Sequence, residues 1–290
     1  RSAGLALKSA ADAHGRPIYL EMSSVNPVFI LPGALHARGP AIAAELHASC
    51  AMGAGQFCTK PGIAVLVGGA PAEAFVADVA RATRAGPPGV LLTARAADDI
   101  AAVVARLQAA GAALLAGGRV ASESAAYAHE PTVLRVDGAR FLEAPGELQS
   151  EAFGHVSLLV IVRSAAELLQ VAAAMEGNLT ASIYSDESAD DEALYARLAP
   201  ILRPRVGRLI NDRMPTGVAV SAAMNHGGPF PASGHPGFTA VGLPASMMRF
   251  TALHCFDHVR PHRLPPELRD RNPDGRQLRL VDGEWTRRDV

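Results

Sequence analysis

Residues 156–184 read V-S-L-L-V-I-V-R-S-A-A-E-L-L-Q-V-A-A-A-M-E-G-N-L-T-A-S-I-Y. Val156 to Val162 is an apolar run interrupted only by Ser157, which suits a strand buried on both faces. Ser164, followed three residues later by Glu167, is a capping box that opens a helix. That helix stops near Gly177, and Leu179 to Tyr184 is a second strand. Strand, helix and strand in so short a span form a βαβ unit, whose two strands lie parallel.

The same alternation extends outward in both directions. Towards the amino end, residues 3–13 read as a helix closed by Gly15. Ile18 to Leu20, Val28 to Leu31 and Ile63 to Val67 read as short buried strands. Pro40 opens a helix with Ile42, Leu46 and Cys50 at spacing four, ended by Gly53 and Gly55. Pro71 starts a helix with Phe75 and Val79 on one face, and Gly89 to Leu92 is a strand. Ile100, Val103, Val104 and Leu107 mark a longer helix. Towards the carboxyl end come a helix over 188–198 and a strand over Val206–Ile210. The fold class is therefore α/β, a mainly parallel open sheet covered by helices. Residues 226–238, rich in Gly, Pro, His and Ser, form an irregular loop, and the arginine-rich, proline-punctuated tail reads as a surface arm or oligomer contact.

Composition narrows the function classes. The chain has 290 residues, 49% hydrophobic and 19% charged, enough for a sizeable core. A net charge of −1 gives no field to attract nucleic acid or an anionic membrane. No apolar run spans a bilayer, and the first residues, R-S-A-G-L-A-L-K, lack a signal-peptide core. Neither G-x-G-x-x-G after a strand nor a P-loop occurs. Three cysteines, Cys50, Cys58 and Cys255, with no C-x-x-C spacing, argue against a disulfide framework or structural zinc and fit a reducing cytoplasm. Asn178-Leu179-Thr180 matches a glycosylation acceptor, which there is a chance match.

Cys58 lies in G-Q-F-C-T-K-P-G, residues 55–62, a stretch built to be a loop. It reads either as a buried small hydrophobe or as a nucleophile presented to substrate, with Lys60 favouring its thiolate if the side chains converge. Cys50, on the apolar helix face, illustrates the buried alternative, and Cys255 is expected to follow it.

The segment around Cys58 closely resembles the catalytic-cysteine segment of the NAD(P)-dependent aldehyde dehydrogenase superfamily. Leu20 to Pro27, L-E-M-S-S-V-N-P, resembles that family's general-base segment; Glu151-Ala152-Phe153-Gly154 resembles its E-x-F-G segment; Leu179-Thr180-Ala181-Ser182 resembles its L-T-A segment. Residues 207–232, G-R-L-I-N-D-R-M-P-T-G-V-A-V-S-A-A-M-N-H-G-G-P-F-P-A, resemble the α-ketoglutaric semialdehyde (2,5-dioxovalerate) dehydrogenase branch. The likeness runs in consistent order from Arg1 to about Asp274.

The resemblance implies oxidation of a small-molecule aldehyde, with Cys58 as nucleophile and Glu21 as the base that activates water. Glu21 sits among Ile18, Tyr19, Leu20 and Met22, which suits a partly buried base; its bland alternative is a solvent-facing acid at a strand end. Glu151 is implied to hold the nicotinamide ribose of NAD or NADP, and Phe153 to pack beside the ring. Their alternatives are a salt-bridged loop acid and a core aromatic. His226 lines the substrate channel and tunes the thiol or the acid, unless it only bonds its own loop. Arg213 is a candidate cation for a substrate carboxylate, unless it is simply solvated. No metal is called for.

The resemblance further implies that 1–21 is a remnant of a cofactor-binding domain, 22–245 the catalytic domain and 246–290 a carboxyl-terminal arm. With that cofactor domain largely absent, the cofactor site is incomplete and the chain alone has weak or no dehydrogenase activity; a complete subunit would form a homo-oligomer. Two rival expectations are a cofactor-independent esterase using Cys58 and Glu21, and a truncated, non-catalytic assembly partner of a full-length enzyme. Three positions depart from the family pattern: Ser23, where glycine is usual; Lys60, more often uncharged; and His155, where proline is common.

Overall fold

A computed structural model describes residues 1–120 and 127–290. The strands are β1 (Val28–Ile30), β2 (Ile63–Val67), β3 (Gly89–Val90), β4 (Ala113–Ala116), β5 (Ala128–His129), β6 (Thr132–Asp137), β7 (Val156–Val162), β8 (Asn178–Tyr184), β9 (Val206–Asn211), β10 (Arg279–Val281) and β11 (Glu284–Thr286). The helices are α1 (Ser2–Ala13), α2 (Pro32–Ala51), α3 (Ala70–Ala85), α4 (Ala94–Ala109), α5 (Gly138–Glu143), α6 (Pro145–Leu148), α7 (Ala165–Ala173) and α8 (Ala189–Leu202). Seven strands form one sheet in the order β4-β6-β7-β2-β1-β8-β9. Only β4 runs antiparallel to its neighbour; the other pairs are parallel, as the alternation of strands and helices predicts.

Strand alternation divides the core into two layers. Phe29, Val65, Leu158, Val160 and Ile183 face one side, where Ile100, Phe141, Leu168 and Leu198 of α4, α5, α7 and α8 cover them. Ile30, Leu66, Leu159 and Ile161 face the other, under Ile42, Leu46, Phe75 and Val79 of α2 and α3. Ser164 caps α7 as its spacing predicts, accepting the Glu167 N–H at 3.2 Å.

Several expectations are corrected. The helix expected from Pro40 begins at Pro32; it breaks at Arg38 (φ −134°, ψ 15°), because Pro40 has no N–H to continue the ladder. Ile18 to Leu20 is not a strand, and Tyr19 is 44% exposed. Its backbone is engaged instead by the loop at 232–234, with Met22 N–H donating to the Ala232 carbonyl at 2.8 Å and Gly234 N–H to Leu20 at 3.0 Å. Strands β4, β5 and β6 were not anticipated; β4 is a sheet-edge strand of alanines and leucines without the buried pattern of a core strand. Cys255 is exposed rather than a core thiol.

The chain divides into two compact units, Arg1–Met247 and Met248–Val290. The second contains the hairpin β10–β11, turned by Asp282 and Gly283 with φ of 50° and 86°. Positive φ at both positions is what a two-residue hairpin turn demands, and Asp-Gly supplies it. No helix among the described residues is long and apolar enough to cross a membrane.

Candidate active site

The amino ends of β1, β2, β7 and β8 receive the segments 20–27, 52–62, 149–155 and 174–177. The residues singled out for chemistry lie on these segments and on the loop 224–235. Open α/β sheets more often bind ligands at the carboxyl ends of their strands; this chain gathers its reactive groups at the opposite edge.

Cys58 follows α2 through Gly53, Ala54 and Gly55, all at positive φ (57°, 55° and 72°). A Cβ on Gly55 would collide with the backbone of Gly154 and His155, so glycine there lets the cysteine loop lie against the Glu151–Gly154 segment. Cys58 itself is half-buried.

Asn26 pins that loop. It is buried at φ 44°, and its Nδ2 donates to the carbonyls of Cys58 (2.9 Å) and Lys60 (3.0 Å). Its Oδ1 accepts from Ser24 Oγ at 2.9 Å and Thr180 Oγ1 at 3.0 Å. Asn178, at the start of β8, accepts the N–H groups of Val25 (2.8 Å) and Asn26 (3.1 Å). The motif-like Asn178-Leu179-Thr180 is thus an internal strut, with Asn178 only 2% exposed. Sequence reasoning missed Asn26 as a support, although Asn is one of the few residues that tolerates the left-handed region.

Glu21 and His226 meet Cys58 in space. Glu21 Oε1 lies 3.2 Å from His226 Nε2, and the ligand atoms of Glu21, Cys58 and His226 all lie within 4.8 Å of one another. His226 is buried; its N–H donates to Thr239 Oγ1 at 2.9 Å and its carbonyl accepts from Ala240 at 2.7 Å. Hydrogen bonds with the Cys58 thiol and then Glu21 push its imidazole up to about 9, outweighing its burial.

Lys60 does not converge on Cys58. It is buried, its amine donates to the Val156 carbonyl at 2.8 Å, and its nearest charged or acidic neighbours are Cys50 and Glu151. Burial pushes that amine down and the Cys50 thiol up; Cys50 is packed against Ser157 Oγ at 2.8 Å.

Glu151 is the carboxyl that burial raises, to about 7, against the pull of Lys60 and hydrogen bonds from the Ser24 backbone and Ser23 hydroxyl. Ser23, one of the departures from the family pattern, therefore contacts the carboxyl assigned to the ribose. Phe153 is 49% exposed and not a core aromatic. His155 is buried, and desolvation holds its imidazole down to about 4.

Arg213 is exposed. A second arginine, passed over in the sequence, is electrostatically linked both to it and to Cys58: Arg208 on β9, half-buried, whose Nη2 donates to the Pro215 carbonyl at 2.8 Å. A β-strand arginine carries no local signal of such a position.

The sequence matches the aldehyde dehydrogenase family over residues 1–238. It is 39% identical over 275 residues to alpha-ketoglutaric semialdehyde dehydrogenase 2 of Azospirillum brasilense, covering 94% of this chain and 51% of that protein. It is 37% identical over 286 residues to alpha-ketoglutaric semialdehyde dehydrogenase of Acinetobacter baylyi, covering 98% and 53%. The chain thus spans about half the length of the curated relatives it matches. Among solved structures, lactaldehyde dehydrogenase from Escherichia coli superposes with a TM-score of 0.70 at 21% identity, over 86% of this chain and 50% of that one. Indole-3-acetaldehyde dehydrogenase complexed with NAD+ gives 0.68 at 19% identity, over 85% and 49%. With the family matched over residues 1–238 and curated relatives at 37–39% identity, the chain belongs to the aldehyde dehydrogenase family.

Proposed function

We propose that Cys58, Glu21 and His226 carry the oxidation of an aldehyde to its acid. The observation behind this reading is the meeting of thiol, carboxyl and imidazole within 4.8 Å, on elements separated widely in sequence. The Cys58 sulfur adds to the carbonyl carbon as the thiolate, the nucleophilic form of a cysteine. The Cys58 backbone N–H is the proposed donor to the resulting oxyanion. Glu21 takes a proton from water, whose oxygen attacks the acyl carbon; the carbon–sulfur bond breaks and Cys58 leaves as thiolate.

Glu151 and Phe153 are the residues that would hold the nicotinamide end of NAD(P)+. Glu151 is a carboxyl able to accept ribose hydroxyls, and Phe153 presents an exposed ring. When bound, that cofactor supplies the hydride acceptor between thiohemiacetal and thioester. The net change is aldehyde, water and NAD(P)+ to acid, NAD(P)H and a proton.

The substrate proposed is α-ketoglutaric semialdehyde, after the two curated relatives. The exposed Arg213 is the proposed partner for its carboxylate. The domain assignment of 1–21 to cofactor binding and 22–245 to catalysis, and homo-oligomer formation by a complete subunit, belong to the same proposal.

The test uses the semialdehyde as a protecting agent for Cys58 against iodoacetamide, followed by reduced-nicotinamide formation with NAD+ or NADP+. Saturable protection is expected. Any nicotinamide reduction should vanish in Cys58→Ala and fall about 10²–10⁴-fold in Glu21→Gln. Absence of protection, or equal reduction in Cys58→Ala, contradicts the reading. The contact of His226 with both partners also favours acyl hydrolysis without cofactor. A chromogenic acetate ester tests this, and equal rates in wild type and Cys58→Ser reject it.

A further inference from the structure

We propose that Glu21, Cys58 and His226 form a zinc-binding site that withdraws the nucleophile from reaction. The donor set is sulfur, imidazole nitrogen and carboxylate oxygen, the three ligand types zinc takes. Tetrahedral bonds of about 2.0–2.3 Å to such atoms place neighbouring ligands about 3.3–3.6 Å apart. The His226 Nε2 to Glu21 Oε1 edge is already 3.2 Å. The thiol lies within 4.8 Å of both, so the remaining edges exceed the tetrahedral spacing by about 1 Å at most.

The backbone around each ligand is fixed before any ion arrives. Met22, beside Glu21, donates its N–H to Ala232 at 2.8 Å; Asn26 holds the Cys58 carbonyl at 2.9 Å; Thr239 holds the His226 N–H at 2.9 Å. Such fixing lowers the reorganisation that binding requires. Glu21 retains 29% side-chain exposure, which gives an ion a route in and leaves water for the fourth position. A thiolate and an imidazole also select against magnesium and calcium, which prefer oxygen.

Binding releases the thiol proton and any Nε2 proton to solvent, and no electron moves. The sulfur lone pair is then committed to the metal, so zinc and an aldehyde exclude each other at Cys58. The ligand geometry carries this inference whether or not the chain oxidises aldehydes.

The experiment titrates the whole chain with Co²⁺ as a spectroscopic probe and with Zn²⁺ as competitor. In parallel, iodoacetamide labelling of Cys58 is followed by peptide mass with and without Zn²⁺. Expected are a near-ultraviolet thiolate-to-cobalt band that Zn²⁺ abolishes, and at least about tenfold slower labelling with Zn²⁺ but not Mg²⁺. The ratio of rates with and without zinc should return to near one in His226→Ala and in Glu21→Gln. His226→Gln, closer in size, serves if the alanine variant fails to fold. Absence of the band, equal zinc protection in the ligand variants, or equal protection of Cys255 overturns the site, and none of these outcomes depends on dehydrogenase turnover.

Discussion

Asn26 concentrates more of the site's geometry than either reactive residue. Its amide ties Cys58 and Lys60 to β8 through Thr180. Asn26→Ala leaves buried partners unsatisfied at about 1–3 kcal/mol each and puts alanine at a positive φ. We expect a urea-unfolding loss of at least about 2 kcal/mol and slower Cys58 labelling in the chain that still folds. Two buried groups set opposite pH slopes. Burial holds His155 near 4 against an ordinary 6.5, so the unfolded chain takes up its proton first as pH falls. Its contribution is present above about pH 6.5 and lost towards about pH 4; His155→Gln should flatten that acid limb in a urea-midpoint profile. Glu151 is raised to about 7 from an ordinary 4.5, so its contribution is full below about pH 4.5 and lost as pH rises through about 7. Glu151→Gln should therefore gain stability over wild type across that rise. Cys58 and Glu21 stand out as candidates because their local sequence is distinctive; the contacts of Asn26, Asn178 and Arg208 do not, because they exist only through partners remote in the chain.

The loop that carries the thiol depends on close backbone approach between elements. Gly55→Ala adds a Cβ where Gly154 and His155 already stand, at a φ of 72°. The expected cost is about 1–3 kcal/mol or more in thermal or urea unfolding, with the cysteine loop separated from the Glu151 segment and Cys58 labelling altered. Alanine at the exposed, sterically open Gly146 should show neither effect. The βαβ core is readable because β7 is apolar except at Ser157, β8 carries Leu179, Ala181, Ile183 and Tyr184, and α7 carries its own cap. The sequence misled at Ile18–Leu20, where apolar residues meet a loop rather than a strand, and it hid β4, whose edge position removes the buried periodicity. The Asp282-Gly283 turn was a legible hairpin signal inside a tail read only for its arginines.

All the proposed catalytic, cofactor and substrate residues lie within Arg1–Met247, which has its own two-layered core. A chain ending at Met247 should therefore keep a cooperative unfolding transition and native Cys58 labelling; loss of both would show that the remaining residues are needed to form the site. The three cysteines offer the most direct test of the central claim, that Cys58 is a nucleophile activated by its neighbours: one is buried, one half-buried and one exposed. The measurement is the rate of iodoacetamide labelling of each cysteine in the native chain, resolved by peptide mass. The account predicts Cys58 fastest, ahead of the more exposed Cys255, with Cys50 unlabelled until unfolding and the lead of Cys58 lost in His226→Ala. Labelling led by Cys255, with Cys58 slow and indifferent to His226→Ala, would contradict it.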